Sequence, residues 1–314
     1  MFSVVIPLFN KICYIESTIS SVLSQSLRAD ELIVVDDGST DGSADLVEGL
    51  FSNELILVRQ VNSGVSAARN TGMSLATNEF ICLLDADDQW HPSYLQMMKN
   101  LILSFPKCVF YGCGFSFSDE NFLKYTPVFA FPHPFVGPID FLCYFSKNSR
   151  IICSSSVCIR KSLLIPSMAF PLGMKSGEDI HLWLRLGMLG SYGFNSSVLA
   201  RIERNEYTTE YLRRLDVLPG YLELISDTLL NINNLHHKLF LHRILRRNVL
   251  IYGLIFVQYN KKFMLRKLFR LVVKNDYFSY LLLHLFVLIP SSSVIFFKKL
   301  FFHLKRLFSF SLSW

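Results

Sequence analysis

At 314 residues the chain is long enough for one large core with an appendage or for two domains, and its 51% apolar content, with 28 Phe, leaves apolar surface that something must cover. The net charge of +6 is uneven: residues 228 to 314 carry 14 Lys and Arg against one acid, Asp276, while the first 227 residues carry 17 against 24. This pattern suits docking on an anionic surface, and seven scattered cysteines without a CxxC pair support neither a disulfide framework nor a cysteine zinc site.

The N-terminus, MFSVVIPLFN, has no basic n-region or long apolar segment, so the expectation is a protein that works inside the cell. Ser3 to Phe9 reads as a strand, and Tyr14 to Ser26 has helical spacing in Ile15, Ile19, Val22 and Leu23. Glu31 to Val35 is a second strand ending on DDGSTDGS, whose Ser, Thr, Asp and Gly chemistry suits a turn and the next helix cap. Ile56 to Gln60 is a third strand. Phe80 to Leu84 is a fourth, ending on the acidic run LLDADD, and Val109 to Phe115 is a fifth. Strands alternating with helices in this way argue for a doubly wound, mostly parallel α/β sheet with ligands at the carboxyl ends of its strands. Asp85, Asp87 and Asp88 stand at such an end. Like charges about 4 Å apart repel by roughly 4 kcal/mol at an effective dielectric near 20, so the cluster points to a cation or a donor-rich ligand.

Residues 116 to 170 carry Pro127, Pro132, Pro134 and Pro138 in an aromatic-rich segment and read as loop and short-strand material for an acceptor wall. After Gly177 a helix returns in EDIHLWLRLGML, with Glu178 and Asp179 in its first turn, where carboxylates also serve as plain caps. In the tail, Lys262, Arg266, Arg270 and Lys274 share one row, and Met264, Leu265, Leu268, Leu271 and Val272 lie off it. Phe297, Leu300, Phe301, Leu304 and Phe308 form a second apolar stripe beside Lys298, Lys299, Lys305 and Arg306. Such basic amphipathic helices lie in anionic membrane interfaces. Tyr277 to Phe297 runs 21 residues without Asp, Glu, Lys or Arg, but Pro290, Ser291 to Ser293 and His284 favour an interfacial or re-entrant segment over a full span.

Six blocks in order, VVIPLFN at 4 to 10, SVLSQS at 21 to 26, VVDDGSTDGS at 34 to 43, NSGVSAARNTGM at 62 to 73, LLDADD at 83 to 88 and GEDIHLWLRL at 177 to 186, resemble the family 2 glycosyltransferases over roughly residues 1 to 205. The resemblance implies a Rossmann-like GT-A fold and an inverting enzyme that uses nucleotide sugars. It divides the chain into a catalytic domain, 1 to 215, with a nucleotide-sugar half at 1 to 115 and an acceptor half at 116 to 215, and a helical membrane-associating region at 216 to 314. QxxRW, the block seen in processive synthases of this family, is absent, which implies transfer of a single sugar.

Donor binding would fall to Pro7, Leu8 and Asn10, whose backbone would face the base, and to Asp36 or Asp37, which could accept from a uracil N–H or form an Asx turn. The resemblance favours Asp37. Gly64 allows close backbone approach. Arg69 faces the nucleotide, buttresses the acidic cluster or makes a plain surface ion pair, and Arg201 or Arg204 is a candidate phosphate clamp. Asp85 and Ala86 complete the donor side with Asp87, the main ligand of a Mn2+ or Mg2+ ion, with Asp88 and Asp85 as further candidate metal ligands. Asp179 is the expected general base, with Glu178 next in line, and Trp183 reads as core.

The reading is of an inverting, metal-dependent transferase that moves one sugar, from a UDP-linked donor, to a saccharide hydroxyl. The acceptor would be a polyprenyl-diphosphate-linked oligosaccharide at the cytoplasmic face of the inner membrane, in O-antigen or capsule assembly, with residues 228 to 314 on the lipid and no nucleic-acid partner. The alternative is a non-catalytic membrane-bound scaffold of the same fold. A nucleotidyltransferase is disfavoured because no glycine precedes Gly38 to form a phosphate loop.

Overall fold

The run FSVVIPL has no polar side beyond one serine, and in the computed structural model it forms β1 (Phe2–Leu8), buried along its whole length. The structure describes residues 1–117, 134–165, 168–203 and 216–273, together with 276, 280, 283 and 284. Strands β2 (Glu31–Asp36), β3 (Ile56–Arg59) and β4 (Phe80–Leu83) join β1 in the order β3-β2-β1-β4, and every pairing is parallel. A continuous apolar run suits such a strand, which is covered on both faces. Helices α1 (Ile15–Leu23), α2 (Ser43–Phe51) and α3 (Val65–Leu75) make the crossovers. Helix α3 lies close on the sheet: a Cβ added to Gly72 would stand 2.3 Å from Val5 Cγ1.

The chain continues through β5 (Gln89–Trp90), α4 (Tyr94–Ser104), β6 (Phe110–Phe117), β7 (Val136–Ile139), α5 (Phe141–Lys147), β8 (Val157–Arg160), α6 (Glu178–Leu189) and β9 (Tyr192–Ile202). The sheet extends from β4 as β8-β6-β9-β5, with β7 also on β9. Here the directions mix: β6 and β9 are parallel, whereas β8 runs against both β4 and β6, and β5 and β7 run against β9. The parallel expectation therefore describes the first half of the sheet. Two of the reversed strands, β7 and β8, come from the proline-rich stretch where the sequence shows no clear pattern, and the third, β5, is the two-residue strand just past the acidic run. Of the prolines in that stretch, Pro127 and Pro132 lie outside the described residues.

The chain divides into two units, the first made of Met1–Phe141, Arg150–Met174 and Asp179–Asn205, the second of Leu142–Ser149, Lys175–Glu178 and Glu206–Trp314. The second unit thus draws in two short segments from inside the expected catalytic domain. Its helices are α7 (Tyr221–Asn231), α8 (Leu235–Gln258), capped by Asn234 Oδ1 accepting from the His237 N–H, and α9 (Lys262–Val272). Buried Arg247 of α8 donates to the carbonyls of Phe145 and Ser146, at 2.7 and 3.2 Å, which holds the 142–149 segment in this unit.

On α9, Met264, Leu265, Leu268 and Val272 are buried inside the unit, while Lys262, Phe263, Arg266, Lys267 and Arg270 are exposed. Burial of such side chains stabilises by about 1.5–3 kcal/mol each, so the apolar side expected for lipid is committed to the protein's own packing. Among the described residues no helix is long and apolar enough to cross a membrane. Lys274, the stripe from Phe297 to Phe308 and all but three residues of the 277 to 297 stretch lie outside them.

Candidate functional site

Three parallel strands end at one edge. Leu8 pairs with Asp36 and Val5 with Leu83, so Phe9, Asp37 and Asp85 follow their strands out on the same side. Gly64, with φ of 89°, turns the chain there into α3, a backbone conformation that a side chain would strain. A cavity of about 370 Å³ opens at this edge, within the range of roughly 300–1,000 Å³ usual for small-ligand sites. Its walls include Pro7, Leu8, Asp37, Gly64, Arg69, Asp85, Ala86 and Asp87 from the expected donor set. They also include Phe9, inside the 7 to 10 run expected at the base, and Lys11, Asn62, Val65 and Ala68, to which the sequence assigned no role.

The paired aspartates of the second turn have separate tasks. Asp36 is buried, and its Oδ1 accepts from the Ser39 N–H at 3.0 Å, three residues on, which fixes the turn away from the cavity lining. Asp37 Oδ1 accepts from Gln60 Nε2 at 2.7 Å and the Ser63 N–H at 2.9 Å, and Oδ2 accepts from the Gly64 N–H at 2.8 Å. It holds the loop before α3 in place while facing the cavity. Asn10 takes a left-handed φ of 50° and accepts from the Thr40 N–H at 2.8 Å, which ties it to the DDGSTDGS loop and leaves it off the cavity lining.

The three carboxylates of LLDADD are drawn to three different partners. Asp85 Oδ1 accepts from the buried Arg69 guanidinium at 2.7 Å, and Phe170 stacks on that guanidinium at 5.1 Å. Asn70, next in sequence, exchanges two hydrogen bonds with the Phe170 backbone and fixes the ring there. Asp87 Oδ2 meets the Lys11 ammonium at 2.5 Å. Asp88 departs from its expected place as a metal ligand: it is buried, accepts from the Ser155 hydroxyl and from the Glu203 N–H at 2.8 Å, and is absent from the cavity wall. Burial, reinforced by the charge of Asp85, pushes its carboxyl up to about 8.

The cavity therefore carries Asp37, Asp85 and Asp87 against Lys11 and Arg69. Among the described residues no group of three His, Cys, Asp or Glu is placed to hold a metal ion. Asp85 and Asp87 each use one oxygen on a cation and keep the other for a ligand. A hard divalent cation takes about six oxygens, so these two carboxylates would fit one whose remaining oxygens come from water and from a bound ligand such as a diphosphate.

Asp179, in the first turn of α6, accepts at Oδ1 from the Ile180 N–H at 2.7 Å and belongs to the first unit, whereas Glu178 belongs to the second. Neither lines this cavity. Arg185 anchors the helix by donating to the Ala169 carbonyl at 2.6 Å. Burial, with the nearby Arg185 charge, lowers the His181 imidazole to about 4. Trp183 is fully buried with its ring edge to Phe170 and is core, as expected. Arg201 sits on β9 in register with Gln89, and Arg204 lies outside the described residues. Lys11 was legible in PLFNK as the first cation of the chain; Ser155 carried no sequence signal.

Comparison with known proteins places these features in context. The model of glycosyl transferase family 2 matches residues 3–164. TuaG of Bacillus subtilis, described as a putative teichuronic acid biosynthesis glycosyltransferase, is 30% identical over 204 residues, 62% of this chain and 76% of TuaG. The amylovoran biosynthesis glycosyltransferase AmsB of Erwinia amylovora is 33% identical over 165 residues, 48% of this chain and 54% of AmsB. The crystal structure of Staphylococcus aureus TarS 1–349 in complex with UDP-GlcNAc superposes with a TM-score of 0.70 at 21% identity, covering 86% of this chain and 79% of that one, which shows the GT-A fold.

Proposed function

We propose that this chain, which belongs to glycosyl transferase family 2, moves one sugar from a UDP-linked donor to a saccharide hydroxyl in the building of a bacterial surface polysaccharide such as O-antigen or capsule. The observation that carries the reading is the cavity in which Asp85 with Arg69, and Asp87 with Lys11, face one another at the carboxyl ends of parallel strands. Its support from relatives is the surface polymers in the names of TuaG and AmsB, and the UDP-GlcNAc held by TarS.

In this reading the exposed ring of Phe9 and the Asp37 carboxylate take the base, by stacking and by accepting from a ring N–H. Lys11 and Arg69 bind diphosphate oxygens. With three carboxylates already facing two cations, a diphosphate adds unbalanced negative charge, and Asp87 and Asp85 would hold Mn2+ or Mg2+ against it. That cation, when bound, neutralises the charge growing on the leaving group. Asp179 takes the proton from the acceptor hydroxyl. The hydroxyl oxygen bonds to the anomeric carbon from the face opposite the phosphate, the carbon–phosphate-oxygen bond breaks, and its electron pair leaves on UDP. One displacement inverts the centre. Glu178, at the same helix start, is the alternative base.

The acceptor in this reading is a polyprenyl-diphosphate-linked oligosaccharide at the cytoplasmic face of the inner membrane. The exposed Lys262, Arg266, Lys267 and Arg270 of α9, with no acid on that face, are the contact with anionic lipid. The test is to supply UDP-sugars one at a time with Mn2+ and a lipid-linked oligosaccharide, and to follow UDP release and the anomeric configuration of the product. One sugar added with inversion is expected; retention, repeated addition or no UDP release from any donor would overturn the proposal.

A further inference from the structure

We propose that Ser155 is a positioning residue that fixes the acidic turn so that Asp85 and Asp87 are presented to the cavity. The proposal rests on the reading of that cavity as a nucleotide-sugar site. Ser155 is fully buried in a short helical turn, Ser154–Ser156, that precedes β8. Its hydroxyl faces two groups of the acidic turn at once. It accepts from the Asp85 N–H at 3.0 Å and donates to Asp88 Oδ2. Asp88 Oδ1 then accepts from the Glu203 N–H at 2.8 Å just past β9, so one carboxylate ties the turn to two other segments. The Ser155 carbonyl accepts from the Trp90 indole N–H at 2.6 Å, and Trp90 stacks on Tyr94 with ring centroids 3.9 Å apart.

From the other side, Thr18 of α1 donates to the Ala86 carbonyl at 3.0 Å, and the Asp88 N–H closes back on the Asp85 carbonyl at 3.0 Å. The backbone is thus held at 85, 86 and 88, and the residues left facing the cavity are Asp85, Ala86 and Asp87. Asp88 points inward and serves this anchoring rather than the cavity wall. Loss of the Ser155 hydroxyl leaves the Asp85 N–H and Asp88 Oδ2 without that partner in a buried place.

Ser154→Ala is the control, because Ser154 is buried in the same turn but makes none of these contacts. Two readouts separate positioning from plain stability: amide exchange at 85 to 88 in metal-free protein, and UDP affinity measured by calorimetry with and without Mn2+. In Ser155→Ala the 85 to 88 amides are expected to exchange about tenfold faster or more, and the gain in UDP affinity from Mn2+ to fall by about tenfold. Ser154→Ala leaves both as in the wild type. If Ser155→Ala does not fold, Ser155→Cys, which keeps the side-chain shape with a weaker donor, carries the same comparison. A folded Ser155 variant with wild-type exchange and a wild-type gain from Mn2+ overturns this inference alone. A wild-type protein that gains nothing from Mn2+ overturns the proposed cation site and this inference with it.

Discussion

Lys11 is the residue on which the proposed function turns most clearly, because its ammonium reaches Asp87 at 2.5 Å while lining the cavity that, in that proposal, a diphosphate fills. Removing it in Lys11→Met is expected to weaken UDP binding by about tenfold or more, the usual weight of a charge-assisted contact, and calorimetry reads this directly. His181 gives a test by pH. Its Nδ1 is buried without a hydrogen-bond partner among the described residues, and its folded-state value of about 4 lies below the ordinary 6.5. A lowered value means the unfolded chain takes up the proton first. Stability is therefore full above about pH 6.5 and is lost as pH falls toward 4. His181→Gln should flatten that loss by about 1–2 kcal/mol in urea melts at pH 7 and pH 4.5, less than the full shift because the ring is only partly buried and solvent screens it. Sequence alone placed Asp37, Arg69, Asp85 and Asp87 on strand ends and a helix turn, and all four line the cavity. It could not place Asp88, because three carboxylates in four positions look alike until the short turn before β8 brings Ser155 to one of them.

Among the elements, α3 joins fold to site: its inner face packs on β1 at Gly72, and its outer end carries Gly64 and Arg69 to the cavity. Gly72→Ala would put a methyl 2.3 Å from Val5 Cγ1 and 3.3 Å from Val35 Cγ2. Overpacking of this kind costs about 1–3 kcal/mol, so thermal or urea unfolding should show that loss, together with weaker UDP binding as the helix moves off the sheet. The parallel strands β1 to β4 were legible because each is a short apolar run closed by turn residues. The antiparallel setting of β8 was not, since VCIR shows a buried strand but nothing in a buried run records its direction. Helix α9 shows the same limit: the amphipathic period is plain in the sequence, yet an apolar stripe fits the helices of its own unit as well as it fits lipid.

For the whole molecule, the charge split between an acidic first part and a basic tail is the feature that composition alone revealed, and the fold leaves cations exposed along α9. The 314-residue protein is expected to sediment with vesicles containing anionic lipid, weakly with zwitterionic vesicles, and less as salt is raised. Each basic residue near such a surface contributes about 1 kcal/mol, so Arg266→Glu with Lys267→Glu should cut the binding by about tenfold or more. Binding that ignores both salt and these substitutions would place the contact elsewhere. None of this bears on the cavity at the strand ends, whose lining residues all belong to the first unit. The central claim, that this cavity holds a nucleoside diphosphate together with a divalent cation, is tested most directly by titrating UDP into the purified protein with and without Mn2+, and repeating both titrations on Asp87→Ala. Binding that strengthens with Mn2+ in the wild type and loses that gain in Asp87→Ala is the expected result; no binding under any condition, or the same gain in both proteins, would contradict it.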